Sequence, residues 1–352
     1  MKVTLKHSKN DIDKAGNVLA GIPDSKINQD QAIEILENFR SVHNHPLIVF
    51  RMSLNRKAKN ISGDLLISQR LKRAPSIVNK LKIQKNMSLS QMQDVGGLRA
   101  VVSDIKQLYK LKDSIRKGEN QTAFKSTFLK ETDYVKFPKS SGYRSIHLIY
   151  KYDKNVPLNA QCRIEVQLRT KIHHAWATAV EVIGTYLRQP LKQSFGDAEL
   201  LELFKEISKV FIKIENNEFN DDLFKKVSER ILKLKLRDKL QGFSIVTQIS
   251  AQESKKVKGK YYLISLNFKD KTLNVRRYSE SKLDQANNEY SELEKRYLND
   301  KNVEIVLVSV DDMDNLKKLY PNYFLDTQEF VKLLDIIDKK INENKLANKK
   351  TW

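Results

Sequence analysis

Apolar and polar side chains alternate without interruption from Gln161 to Arg169, with Cys162, Ile164, Val166 and Leu168 on one side and Arg163, Glu165, Gln167 and Arg169 on the other. A period of two residues predicts a strand that buries one face and presents the other. The stretch Ser145 to Tyr152 repeats the device, setting Ile146, Leu148, Tyr150 and Tyr152 against Ser145, His147 and Ile149 after a Gly-Tyr-Arg-Ser turn. Around these strands the spacing is mostly helical. Met1 to Lys26 reads as a loop with short local structure, and a helix carrying Ala32, Ile35, Leu36 and Phe39 follows, ending at His43-Asn44-His45-Pro46. Helical material is expected from about Asp64 to Lys85 with a break before Pro75, because proline is tolerated in a first turn and costly in a helix interior. Met92 to Val102 passes through two glycines into a strand, and Asp104 caps a helix bearing Ile105, Leu108, Leu111 and Ile115. A polar loop is expected over Lys117 to Glu131, a helix from Lys171 to about Leu187, and more helix from about Leu200 to Leu240.

From Gly242 the pattern turns to strands: Phe243 to Ile249, Tyr261 to Phe268, Leu273 to Tyr278, and Val303 to Val310. A helix with Leu283, Ala286, Tyr290, Leu293 and Tyr297 on one stripe stands before the last of these. A short helix, Asp312 to Leu319, and a final helix from about Asp326 complete the pattern. The change suggests two domains, 1–241 and 242–352.

With 352 residues and 40% hydrophobic content the chain can build ordinary packed cores. No apolar run approaches the roughly 18 residues of a membrane span. Met1 to Asp30 lacks the apolar centre of a secretory signal, so a cytoplasmic protein is the expectation. The single cysteine, Cys162, excludes an internal disulfide and a cysteine-based zinc site, and reads as a small core residue. The largest global signal is the formal charge of +21, from 64 Lys and Arg against 43 Asp and Glu. An excess of that size attracts polyanions by phosphate contact and counterion release. A lysine-rich solvated surface would give the same number.

Candidate chemistry gathers at a few places. Arg70, Ser76 and Lys80 can share a groove with Lys72, where backbone amides at a helix start around Pro75 would make a phosphate site. Asp94 precedes two glycines, and Glu165 stands on the polar face of its strand. Two carboxylates among cations suit a Mg²⁺ held partly by substrate phosphates, with the cations balancing charge in phosphoryl transfer. They suit a solvated ion-pair network equally well. Tyr143 follows a glycine that permits an exposed ring, though it also reads as a turn aromatic packed on its own sheet, and His147 as a hydrogen-bonded strand histidine. His173 and His174 are neighbours on a helix and face different ways, so they read as surface or packing groups.

Four of these segments stand in one order: QRLKRAPSIVNKL, DVGGLRAVV, DYVKFPKSSGYRSIH and IEVQLRT. Together, over roughly residues 60 to 185, they resemble the synthetase domain of the RelA/SpoT alarmone synthetases. The resemblance implies an α+β, nucleotidyltransferase-like mixed sheet flanked by helices that transfers pyrophosphate from ATP to a ribose 3′-hydroxyl. It implies that Arg70, Lys72, Ser76 and Lys80 bind ATP, and that Asp94 and Glu165 are catalytic and hold Mg²⁺, with Glu165 as base for the attacking hydroxyl. Lys139, Tyr143, His147, Gln167 and Arg169 would bind the acceptor, Tyr143 by stacking. None of the six histidines is followed by Asp, so the hydrolase domain of the long family members is not expected.

The small strand-rich C-terminal part, with one internal helix and terminal helices, resembles the pseudo-zinc-finger domain of the CapRel type, fused toxin and antitoxin proteins among the toxic small alarmone synthetases. There a Tyr-x-x-Tyr element folds over the ATP site. Tyr320 and Tyr323 in YPNY fit it, although two tyrosines at this spacing are also ordinary core packing. The resemblance implies an auto-inhibited enzyme that modifies the 3′ CCA end of tRNA in phage defence, and is released when a phage protein, often a capsid protein, binds the C-terminal domain. Arg51, Arg56, Lys57 and Lys59 are candidates for a basic RNA track. Two alternatives remain: a small alarmone synthetase making (p)ppGpp or (p)ppApp, and a non-catalytic RNA-binding sensor module.

Overall fold

A computed structural model of the chain describes residues 3–58, 61, 64–117, 126–152, 162–187, 189, 191, 196–244, 248–250, 261–267, 270, 272–297, 300, 302–309 and 327–349. Its centre is a nine-stranded mixed sheet in the order β3-β4-β5-β2-β1-β9-β7-β8-β6. The strands are β1 (Leu66–Leu71), β2 (Gly96–Val102), β3 (Ser126–Asp133), β4 (Ile146–Tyr152), β5 (Arg163–Thr170), β6 (Gln248–Ser250), β7 (Tyr261–Asn267), β8 (Thr272–Tyr278) and β9 (Val303–Ser309). β2 runs parallel to β5 and β6 parallel to β8, and the other neighbours are antiparallel. The expected α+β class with a mixed sheet holds.

The alternation in β4 and β5 decides what covers the sheet. Ile146, Leu148, Tyr150, Tyr152, Cys162, Ile164, Val166 and Leu168 join one core with Leu98, Ala100, Ile67 and Leu71 and with the helices α1 (Lys9–Ala20), α2 (Gln29–Ser41), α3 (Asn44–Ala58), α4 (Ala74–Ile83) and α5 (Ile105–Lys117). Each fully buried aliphatic side chain contributes about 1.5–3 kcal/mol, so the register of these strands is strongly fixed, since a one-residue slip would turn the set outward. A second core joins α6 (Lys171–Tyr186), α7 (Ala198–Glu215), α8 (Asp221–Lys233), α9 (Leu236–Ser244) and the last helix, α11 (Gln328–Lys349). The helix α10 (Leu283–Arg296) packs through Ala286 and Tyr290 on β7, β8 and β9. The strands of residues 242–352 thus extend the sheet of residues 1–241, with β9 pairing directly on β1 through Gln69–Ser309 and Arg70–Val308.

Four local expectations change. Residues 66–71 are a strand and not helix, because β2 and β9 hydrogen-bond to β1 on both edges and this pairing overrides an indistinct local pattern. The N-terminal loop contains α1, whose start is a capping box in which Ser8 and Asp11 exchange side-chain and backbone bonds. Part of the expected polar loop after Lys117 is the edge strand β3, with a bulge between Phe128 and Lys130. The first C-terminal strand is shorter than expected, since α9 runs to Ser244. The expected helix Asp312 to Leu319 and the tyrosines Tyr320 and Tyr323 lie outside the described residues. Among the described residues no helix is long and apolar enough to cross a membrane.

Candidate active site

The polar face of the sheet is organised in rows. Arg70 of β1 is in register with Gly97 of β2, Gly97 with Glu165 of β5, and Glu165 with Ile149 of β4. The next row runs Ser68, Arg99, Gln167, His147. Neighbours in register point to the same face, so four strands bring these side chains together without any loop. Gly97 at the centre leaves Arg70, Glu165 and Asp94 facing a cavity of about 60 Å³ that Ser68, Lys72, Leu98, Arg99 and Gln167 also line.

At one wall stands Asp94, which accepts from Lys72 Nζ at 2.6 Å and from Lys80 Nζ at 2.9 Å. Burial pushes its carboxyl up, but the two ammonium groups outweigh this and hold it at about 2. Burial likewise draws Lys72 down, with Asp94 working against it. Lys80 reaches Asp94 from α4, whose first turn holds Pro75 as expected. The phosphate cradle expected at that helix start is partly taken. The Ala74 amide donates to Glu294 of α10 at 3.2 Å, Pro75 has no N–H, and the Ile77 amide returns to Arg73 O. Ser76 is left as the first-turn amide without a partner among the described residues.

At the other wall five side chains close a ring of hydrogen bonds. Glu165 Oε1 lies 2.8 Å from His147 Nδ1, and Glu165 Oε2 accepts from Gln167 Nε2 at 2.7 Å. The other ring nitrogen of His147 meets the Tyr143 hydroxyl at 2.8 Å, and Arg169 donates at 3.0 Å to both Tyr143 Oη and Gln167 Oε1. Burial pushes Glu165 up, and its bond to His147 brings it below the usual carboxylate range. Burial opposes the charged form of His147, yet the Tyr143 oxygen and Glu165 raise it to about 9. Tyr143 is drawn down, Arg169 and His147 outweighing burial. A group that binds its proton more tightly when folded contributes stability below its unfolded pKa and loses it as pH rises through the folded one. The His147 contribution is therefore fully present below about pH 6.5 and lost through about pH 9. An NMR titration is expected to find one imidazole with a midpoint near 9, and a midpoint near 6.5 for His147 would contradict the ring.

The turn before β4 positions Tyr143. Gly142 has φ +89°, and a Cβ there would come within 2.9 Å of Ser208 Cβ and 3.0 Å of Lys205 Cα on α7. Only glycine fits that conformation and approach, and Ser208 Oγ bonds the Gly142 carbonyl at 2.6 Å. The Tyr143 ring meets Tyr134 and His147 edge-on and lies beside Trp176, with Lys139 Nζ 5.3 Å from its centroid. Every expected acceptor residue therefore stands within one cluster: Tyr143, His147, Gln167 and Arg169 in the ring and Lys139 above it. Arg99, which the sequence reading did not single out, joins the cavity from β2. Its signal was the alternation Gly97, Arg99 in phase with Glu165 and Gln167.

The expected basic track fares differently. Arg51 is buried and bonded to Ser309, and Lys57 donates to the carbonyls of Ser114 and Ile115 at the end of α5. Both bond to neighbouring elements, while Arg56 of the same helix is exposed. Lys59 lies outside the described residues. His173 and His174 are buried packing groups, His173 beside Glu215, and Cys162 is buried.

Residues 69–189 match the family model described as the region found in RelA / SpoT proteins. The GTP pyrophosphokinase YwaC of Bacillus subtilis is 30% identical over 134 residues, covering 36% of this chain and 61% of that protein. The probable chloroplastic GTP diphosphokinase RSH3 of Arabidopsis thaliana is 34% identical over 112 residues, 32% of this chain and 14% of that protein. Among solved structures, the small alarmone synthetase 2 of Bacillus subtilis is 24% identical with a TM-score of 0.43, covering 51% of this chain and 94% of that one.

Proposed function

We propose, from the synthetase region at residues 69–189 as premise, that this protein is an ATP-dependent pyrophosphokinase whose acceptor is the 3′ CCA end of tRNA. The observation that carries the reading is the meeting of Asp94 with Lys72 and Lys80, and of Glu165 with its ring, on one cavity of one sheet face. Two carboxylates fit a Mg²⁺ whose remaining ligands are phosphate and water oxygens. Asp94 and Glu165 would hold the ion, which when bound would offset phosphate charge. Lys72 and Lys80, now paired with Asp94, would bind the triphosphate together with Arg70, Arg99 and Ser76. Glu165, kept ionised by His147, would take the proton of the attacking hydroxyl, and Tyr143, Lys139, Gln167 and Arg169 would orient the acceptor.

The tRNA acceptor is favoured by the formal charge of +21, because a free nucleotide needs few cations and an RNA needs many. The relatives named GTP pyrophosphokinase or diphosphokinase favour a second reading, a free guanosine nucleotide as acceptor. Auto-inhibition by residues 242–352 is part of the proposal. Val308 and Ser309, the last described residues of β9, pair with Arg70 and Gln69, so the chain that carries Tyr320 and Tyr323 departs beside the ATP residues, and eleven to fourteen residues can span about 35–50 Å. Binding of a phage protein to this part would release it. Labelled ATP incubated with tRNA, GDP and GTP, using the protein and its Tyr320→Ala variant, tests the reading. Label on the tRNA 3′ end, increased by the substitution, is expected; label only on free nucleotide would establish the second reading.

A further inference from the structure

Beside the catalytic cavity lies a wide groove of about 790 Å³, lined by Lys80, Ile83, Gln84, Lys85, Asn86, Met87, Gln91, Gln93 and Arg163. Its chemistry is specific. Three cations stand there with no carboxylate, and four side-chain amides offer both donors and acceptors. Ile83 is 53% exposed, and with Met87 it provides an apolar surface. The groove adjoins the catalytic cavity at two points. Lys80, which lines the groove, holds Asp94, which lines the cavity, and Arg163 stands two residues before Glu165 on the same strand face, about 6.6 Å along it.

We propose that this groove seats single-stranded RNA, the unpaired nucleotides that lead to the 3′-terminal hydroxyl at Glu165. The proposal rests on the reading of RNA as acceptor and adds where its strand runs. Phosphates meet Lys85 and Arg163, base edges meet the amides of Gln84, Asn86, Gln91 and Gln93, and base faces meet Ile83 and Met87. Lysines at the end of a helix also complement its dipole, and Lys80 and Lys82 lie in the last turn of α4. That explanation does not reach Arg163, which enters from β5, nor the glutamines before β2. Lys85 has no ion pair among the described residues, and Arg163 Nη1 donates to Gln91 O at 2.6 Å, a bond to another residue that lines the groove.

The test is direct binding, without turnover. A dye-labelled single-stranded oligoribonucleotide ending in CCA is titrated by fluorescence anisotropy with the protein and with Lys85→Ala, Lys85→Glu and Arg163→Gln at several salt concentrations, and ATP affinity is measured for each as the control for folding. Lys85→Ala and Arg163→Gln are expected to weaken binding several-fold and to lower the slope of log affinity against log salt by about 0.7 each, Lys85→Glu to weaken it further, and ATP affinity to stay unchanged. Equal affinity and slope in all four proteins would overturn the groove while leaving an RNA acceptor standing. If the unaltered protein binds the oligonucleotide no better than GTP, the RNA reading and the groove fall together.

Discussion

Glu165→Gln is expected to lose about 10²- to 10⁴-fold in pyrophosphate transfer while the protein keeps its fold. Glutamine has the shape to accept from His147 through its remaining oxygen, but it has no charge to take a proton or to hold a metal. Its amide nitrogen would face the Gln167 Nε2 donor, and since a flip of Gln167 would turn that donor on Arg169, one bond of the ring is lost, a cost of about 1 kcal/mol that is small beside the loss in chemistry. Single-turnover rates with saturating ATP and acceptor, set beside thermal melting, make the measurement. A variant with full transfer would remove Glu165 from the mechanism and favour the non-catalytic sensor module.

The second large effect concerns stability and lies far from the carboxylates in sequence. Arg40 of α2 bonds Glu294 of α10 at 2.6 Å and Tyr290 at 2.9 Å, Tyr290 donates to Glu294 at 2.8 Å, and all three are buried. Burial and the Glu294 carboxylate push Tyr290 up, so it stays a hydroxyl donor. The network also holds the chain that carries Lys72: Arg40 Nε donates to Lys72 O at 3.0 Å and the Ala74 amide donates to Glu294. Removing one partner of a buried ion pair costs about 3–5 kcal/mol, whereas replacing both by apolar groups of similar size is often neutral. Glu294→Ala is therefore expected to lower unfolding free energy by that amount, and Arg40→Met with Glu294→Met to recover most of it. Denaturant melts of the single and double variants decide the matter, and a change below about 0.5 kcal/mol for Glu294→Ala would show the network to be incidental. The recovered double variant should still bind ATP more weakly, because Lys72 O and Ala74 N lose fixed partners.

Elements whose partners are close in sequence, or whose two faces differ sharply, were legible from residues alone. β4 and β5 alternate cleanly, and their polar faces gave His147, Glu165, Gln167 and Arg169. The helices after β5 and the strands of the C-terminal part followed from period. β1 was not legible because Leu66, Ser68 and Arg70 on one face and Ile67, Gln69 and Leu71 on the other are both mixed, and its identity depends on β9, whose Ser309 and Val308 lie far along the chain. The closed ring was hidden for a related reason. Alternation tells which way Glu165 and His147 point, but only the Gly142 turn against α7 brings the Tyr143 hydroxyl to His147. Arg40 and Glu294, 254 residues apart, carry no local sign of each other, and a buried charge reads in sequence as an exposed one.

The pairing of β9 on β1 has a practical consequence for dissecting the protein. In a chain cut before β6, the strand bearing Arg70 would become the rim of the sheet, with backbone donors and acceptors open to any passing strand, and such rims template self-association. Toxicity or silence of that fragment would then report stickiness as much as lost restraint, and substitutions that keep every strand in place separate the two.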